Sequence, residues 1–236
     1  MARPVPDPPW WRSREALSRP DRRPLTREAI VDAALVLLER DGIAGLSMRK
    51  LAQELGTGAA SLYWHVRDKE ELLSLLLDRI VGEADVPEPD PENWQEQVKE
   101  LLRAARRLLS ERRDAAQLSL GRIPAGPNSL PVMERNLAVA AASGLPPRVV
   151  ALASDVFALF VGAFAYEASL RVPPLGDPRA SPEQLGDYFR SLPAERFPTL
   201  VALADDLTSA DEDERFEFAI ELLVRGLEAM GTRGND

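Results

Sequence analysis

The 236-residue chain has no cysteine and a single histidine, His65. Without thiols there is no disulfide, no thiolate zinc site, no iron–sulfur cluster and no cysteine nucleophile. With one imidazole, a multi-histidine metal site or a Ser-His-Asp triad is hard to build. The expectation is therefore a protein without metal or cofactor, and not an enzyme. Lysine is scarce, 3 residues against 26 arginines. The N-terminus lacks the apolar core of a signal peptide, so a cytoplasmic protein is expected. Only one long apolar run occurs, Val149–Tyr166, with Asp155 as its sole charge. That run is at the lower length limit for a membrane span and has an acid at its centre, so it reads as a helix deep in a soluble protein.

What is present is ordinary for a globular protein: 45% apolar and 28% charged residues, in a length that suits one or two domains. The net charge of −9 argues against a nonspecific nucleic-acid coat, but the charge is unevenly spread. Residues 1–69 hold 12 basic and 9 acidic residues, a net +3, whereas residues 70–236 carry −12. A weakly basic head on an acidic body suits a protein that touches a polyanion with one end only. A chance fluctuation gives the same numbers.

Residues 1–24 are rich in proline and arginine and show no apolar periodicity, so they read as a flexible arm. Trp10 and Trp11 lie in it, and Arg12, Arg14, Arg19, Arg22 and Arg23 offer phosphate contacts. From Thr26 the pattern turns helical, with Ile30, Ala33, Ala34, Leu37 and Leu38 at i, i+3, i+4 spacing. Asp41-Gly42 predicts its end, with Gly42 left-handed. A short helix capped by Ser47, a turn at Gly56, a third helix over about 58–64 and a fourth from Asp68 follow. Asp68 and Glu71 predict a capping box. The proline-rich stretch 85–91 is a break. Helices are then predicted over about 91–112, 115–121, 128–143, 147–170, 181–191, 194–206 and 211–230. Residues 171–200 hold six prolines and read as a long mobile connection with short helical pieces. No period-two alternation of useful length occurs, so the fold class is all-α.

Residues 47–65, SMRKLAQELGTGAASLYWH, have the order helix, glycine turn, short helix. This is the helix-turn-helix arrangement, in which the second helix enters the major groove. Its start, Gly58, Ala59, Ala60 and Ser61, is small enough to bring the backbone close to the bases. An alanine there suits a thymine methyl, and Ser61 suits a base or phosphate. Arg49 has the reach for guanine O6 and N7. Tyr63, Trp64, His65 and Lys69 offer donors to phosphates, which set register rather than read sequence. A generic helical hairpin also meets this pattern.

The stretches TREAIVDAALVLLERDGIAGLSMRKLAQELG and SLYWHVRDKEELL resemble the DNA-binding domain of the tetracycline-repressor (TetR) family of bacterial transcription regulators. WQEQVKELLRAARRLLSERRDAAQLSLG and FEFAIELLVRGLEAM resemble, more weakly, the ligand-domain helices of its tetracycline-repressor-like subgroup. The resemblance covers about Thr26–Gly231 and leaves the arm at 1–24 outside; beyond that arm it implies a helix-turn-helix domain at 25–70 and an effector-binding and dimerisation domain at 71–236. It implies a homodimeric repressor that holds a palindromic operator and releases it when a small molecule binds. Ser47 and Arg49 match the family's contacts before the turn, and Tyr63, Trp64, His65 and Lys69 its phosphate-side contacts. Gly58 and Ala59 stand where tetracycline-responsive members have polar residues, so a different operator is expected.

For the body, the resemblance implies a dimer seam from helices about 147–170 and 211–230. The latter offers Phe216, Ala219, Ile220, Leu223 and Leu227, with Phe218 and Leu222 on a second stripe. It places effector contacts at Leu101, Ala105, Ser119, Arg122, Asn136, Phe157, Phe160, Phe164 and Glu167. Ser119 stands where the tetracycline-binding members have a magnesium-linked histidine, and Leu101 replaces a drug-bonding asparagine. A larger, mostly apolar effector is therefore expected, not magnesium-tetracycline. Glu167 suits a cationic ligand or a structural ion pair. An activator or a scaffold without ligand response are the alternatives. A carboxylate-only enzyme site at Asp155 and Glu167 is disfavoured, because their spacing of 12 positions need not bring them to one face.

Overall fold

The computed structural model describes residues 25–170 and 181–232, and all regular structure among them is helical. The predicted arm, with Trp10 and Trp11, lies outside the described residues, as does the first part of the proline-rich connection.

Three helices form the head, and a fourth joins it to the body. α1 (Arg27–Gly45) starts at Thr26, whose hydroxyl accepts the Ala29 N–H at 3.1 Å. Its apolar face, Ile30, Ala34, Leu37 and Leu38, is fully buried. The helix does not stop at Gly42 as expected. Gly42 has φ 72° and ψ 177°, a kink rather than a left-handed cap, and one more turn follows. α2 (Met48–Glu54) is capped by Ser47, which accepts from Lys50 N at 3.3 Å. Gly56, at φ 62°, supplies the predicted tight turn. α3 (Ala59–Leu62) is a single turn, shorter than predicted, held inward by the fully buried Leu62 and Val66.

α4 (Lys69–Val81) begins at Asp68, which accepts the Glu71 N–H at 2.8 Å. The predicted capping box is altered: Glu71 accepts from Arg67 N at 2.7 Å, not from the cap residue. Leu72, Leu73, Leu75, Leu76, Leu77 and Ile80 are all buried. A helix apolar on nearly every side must pack on every side. α4 does so because it contacts α1 of the head and also α6 and α7 of the body.

The body comprises α5 (Trp94–Glu111), α6 (Ala115–Ser119), α7 (Ser129–Ala141), α8 (Pro147–Ser169) and α12 (Glu212–Thr232). α8 is long and apolar enough by composition to cross a membrane, but here it packs on α5, α6, α7 and α12. Its Phe157, Val161, Phe164 and Ala165 enter the core, while Leu152, Val156 and Leu159 remain exposed. α12 divides similarly: Phe216, Ile220, Val224 and Leu227 are buried, and Phe218, Leu222 and Met230 are exposed. Salt bridges clasp α5 to α12. Arg103 meets Glu217 at 2.7 Å, Arg106 meets Glu212 at 2.7 Å and Lys99 meets Glu221 at 2.5 Å. The Glu217 and Glu221 carboxyls titrate below the usual range because Arg103 and Lys99, respectively, hydrogen-bond them.

α9 (Pro182–Arg190), α10 (Pro198–Ala202) and α11 (Ala204–Ser209) pack chiefly on one another. The helix predicted over 194–206 is two short ones. Pro198 opens α10 late, after a non-helical Phe197 (φ −130°, ψ 49°), because proline disfavours helical dihedrals in the residue before it. The chain then bends at Leu203.

Candidate nucleic-acid interface and effector cavity

The outward side of the head combines exposure with freedom from packing. Arg49 projects from the first turn of α2, is exposed, and makes no ion pair among the described residues. At the start of α3, Gly58 and Ala60 are exposed, and Ala59 and Ser61 partly so. A side chain at Gly58 would meet nothing within 4 Å, and its backbone is ordinary extended chain. The fold therefore does not need glycine there. Tyr63 and Trp64 lie just beyond α3, 43% and 66% exposed. Such exposure of a tryptophan is costly in water unless something covers it.

Two predicted contacts have structural duties as well. Ser47 caps α2, and Lys69 Nζ donates to the Ile43 carbonyl at 3.1 Å. His65 is half-buried, and its Nδ1 is buried with no hydrogen-bond partner among the described residues. Desolvation, then the nearby Arg27 guanidinium, holds its pKa below the usual value. Both effects favour the neutral ring in the free protein. Sequence reasoning missed Arg27, which is 5% exposed. Its guanidinium donates to the His65 carbonyl at 3.4 Å and lies 3.5 Å from Glu71, tying α1 to the segment that follows α3 and to α4.

In the body, α8 and α12 flank a cavity of about 330 Å³, broadly open to the surface, lined by Phe160, Ala163, Phe164, Glu167, Arg215 and Ala219. Phe160 stacks on Phe216 at 5.6 Å, and Phe164 meets Phe216 edge-on at 5.1 Å. Arg106 lies over the Phe216 ring at 4.7 Å, and Arg215 over Phe164 at 5.5 Å. Arg215 also donates to both Glu167 oxygens at 3.3 Å. Glu167 already has its cation.

The structure brings together three of the nine expected effector contacts, Phe160, Phe164 and Glu167. Phe157 is buried in the core, and Leu101 and Ala105 pack against that core. Ser119 donates to the Ala116 carbonyl at 2.8 Å. Arg122 is paired with Glu70 at 2.6 Å, which joins the body to the start of α4. Asn136 is exposed on α7. Sequence reasoning missed Arg215 and Ala163, and put Phe216 and Ala219 in the dimer seam. Only the register between α8 and α12 reveals that Arg215 faces Glu167. A second cavity, about 280 Å³, is lined by Ala84, Asp85, Val86, Pro131, Val132 and Arg135. No group of three or more acidic or histidine side chains is placed to hold a metal among the described residues.

Residues 30–76 match the model of bacterial regulatory proteins of the tetR family, and residues 86–231 match that of the tetracyclin repressor-like C-terminal domain. An HTH-type transcriptional regulator of Saccharopolyspora erythraea is 35% identical, over 87% of this chain and 85% of its own. The class D tetracycline repressor of Escherichia coli is 32% identical, over 88% and 91%. The apo structure of ActR from Streptomyces coelicolor superposes with a TM-score of 0.82 at 43% identity, covering 91% of this chain and all of that one. ActR has also been solved in complex with actinorhodin, with a TM-score of 0.80 at 45% identity, over 87% and 98%.

Proposed function

From the premise that the chain belongs to the TetR family of ligand-responsive, non-enzymatic transcription regulators, we propose that it is a homodimeric repressor of a palindromic operator, released by a largely apolar, aromatic effector. Residues 25–70 form the DNA-reading head and 71–236 the effector-binding and dimerisation body, working in the cytoplasm. The observation that carries the reading is the surface around α3. Gly58 is spared a side chain that the fold would accept, Ala60 is exposed beside it, and Arg49 on the preceding helix has no ion pair among the described residues. Close backbone approach to bases explains this arrangement, and core packing does not. Ser47, Arg49, Gly58, Ala59, Ser61, Tyr63, Trp64, His65 and Lys69 make the DNA surface, with His65 contributing as a neutral group.

The exposed stripes Leu152, Val156, Leu159 and Phe218, Leu222 support pairing of α8 and α12 with a second copy. The Phe160, Phe164 and Phe216 cluster supports an aromatic effector, as does the likeness to a protein solved with actinorhodin. Binding that favours a DNA-incompetent arrangement by about 1–3 kcal/mol lowers operator affinity about 5–150-fold.

Selection from a random duplex library at about 0.15 M salt tests the reading, because affinity falls steeply with salt. Enrichment of one palindrome is expected. Arg49→Ala should then relax preference at one base position by about 1–3 kcal/mol, whereas Lys69→Ala weakens all sequences through the lost phosphate contact, and the operator further through the lost bond to the Ile43 carbonyl. A protein that enriches no sequence refutes the proposal.

A further inference from the structure

We propose that the corner between α5 and α6 is a positioning element for the DNA-reading motif, gripping the kinked end of α1 through Arg113 and Asp114. The proposal rests on the DNA-binding reading above, and it assigns these body residues a part in operator recognition although they lie outside the head.

Asp114 is the only non-glycine residue with positive φ among the described residues, at φ 57° and ψ 9°. A left-handed backbone is unfavourable for most L-residues, least so for aspartate and asparagine, and persists where the surroundings favour it. Here that support comes from the head. The Asp114 carboxylate accepts the Ile43 N–H at 2.7 Å, across 71 positions of sequence. Its neighbour Arg113 donates through Nη1 to the carbonyls of Arg40, at 2.7 Å, and Glu39, at 3.4 Å. These carbonyls end the straight part of α1 before the Gly42 kink, where a cation is favoured by the helix dipole.

The head is shaped to receive this grip. A Cβ at Gly42 would lie 2.6 Å from Asp114 Oδ2, so the carboxylate occupies the space that a side chain would fill. The Ile43 peptide is held from both sides, its N–H by Asp114 and its carbonyl by Lys69 of α4. The turn so fixed runs through Leu46 directly into Ser47 and Arg49. On its other side, Asp114 leads straight into α6, which packs on α8. A Cβ at Gly162 of α8 would lie 3.0 Å from Ser119 Oγ. α8 carries Phe160, Phe164 and Glu167 of the cavity. A body-to-head route therefore runs from α8 through α6 and Asp114 to the entrance of α2, alongside the contacts that α6 and Ile43 make with α4.

The test uses the full-length protein and the duplex selected above. Asp114→Gly keeps the left-handed backbone and removes the acceptor. Asp114→Asn keeps a carbonyl acceptor and tolerates the same conformation. Operator affinity, affinity for unrelated duplex and amide exchange at Ile43 are read together. Asp114→Gly should bind the operator about tenfold more weakly and exchange Ile43 faster, while its unrelated-duplex affinity does not fall. Asp114→Asn should stay within about twofold of wild type on all three readings. A merely destabilised head would lose both kinds of binding, and the asparagine variant would not rescue it.

The proposal is overturned if the glycine variant binds the operator as wild type does. It is also overturned if that variant binds weakly with Ile43 still protected, or if asparagine is as weak as glycine. A wild-type protein that selects no duplex removes the DNA reading itself, and this is seen before any variant is made.

Discussion

Asp78→Ala should be among the most destabilising single changes in the molecule. Asp78 lies on the last turn of α4 and is 1% exposed. Its carboxylate takes four donors from the start of α7: Asn128 N at 3.2 Å, Asn128 Nδ2 at 2.7 Å, Ser129 N at 2.8 Å and Ser129 Oγ at 2.7 Å. α7 has no side-chain cap of its own, so α4 supplies it. A hydrogen bond to a charged group is worth about 1.5–3 kcal/mol, and four on one carboxylate are far from additive. Alanine strands the Ser129 N–H in a site where Ser129 is 0% exposed, and removes a cap worth about 0.5–2 kcal/mol. Relief of the carboxylate's own desolvation offsets part of this. The net loss comes to about 3–5 kcal/mol. Asp78→Asn keeps one acceptor but turns an amide toward donors, and should cost about 2–3 kcal/mol. Urea unfolding at one fixed protomer concentration measures both, since association shifts apparent stability. An alanine variant that loses less than about 1 kcal/mol, or an asparagine variant worse than alanine, would refute the reasoning.

Gly42→Ala should destabilise the head by about 1–3 kcal/mol from backbone strain alone, before its clash with Asp114, and thermal unfolding of the variant would show it. Phe218→Glu should leave the protomer folded, because Phe218 is 71% exposed, but should break the dimer; sedimentation that still shows a dimer counts against the α8–α12 seam. His65 has a lowered folded pKa, so the unfolded chain binds more protons below about pH 6.5. Its contribution to stability is full above that pH and is lost as pH falls toward the folded value. His65→Gln should flatten the corresponding part of the stability–pH curve, and an unchanged slope would mean that the buried Nδ1 is not responsible.

Much of the fold is written in local pattern. Ile30, Ala34, Leu37 and Leu38 recur at helical spacing, and all four are fully buried. Thr26, Ser47 and Asp68 cap the helices that they were expected to cap, because a cap needs only its own next turn. The prediction at Gly42 was half right. Positive φ follows from glycine, but the extended ψ follows from a carboxylate 72 positions later in the chain. Likewise, Glu71 has the spacing of a capping box, yet its carboxylate faces Arg67 N and the buried Arg27.

The segment proposed to face DNA was legible as a small, exposed stretch because its residues lie together in sequence, and such a segment is local. The cavity was not. Phe160, Phe164 and Glu167 share one face of α8, so spacing alone groups them. Their partners Arg215 and Ala219 lie some fifty residues away, and no spacing fixes which turn of α12 meets which turn of α8. Arg122 and Asn136 show the same gap in reverse: the first is spent on Glu70 and the second faces water. By itself, then, the sequence determined the helices, their caps, the helix-turn-helix order and the family, all set by neighbours within a turn or two or by residue identity. Only the tertiary structure decided which face of α8 is core and which is bare, that Glu167 is already paired, and that the body reaches the reading motif through Asp114. Those outcomes depend on helix register and close packing between distant segments, where a shift of one residue turns a side chain by about 100°.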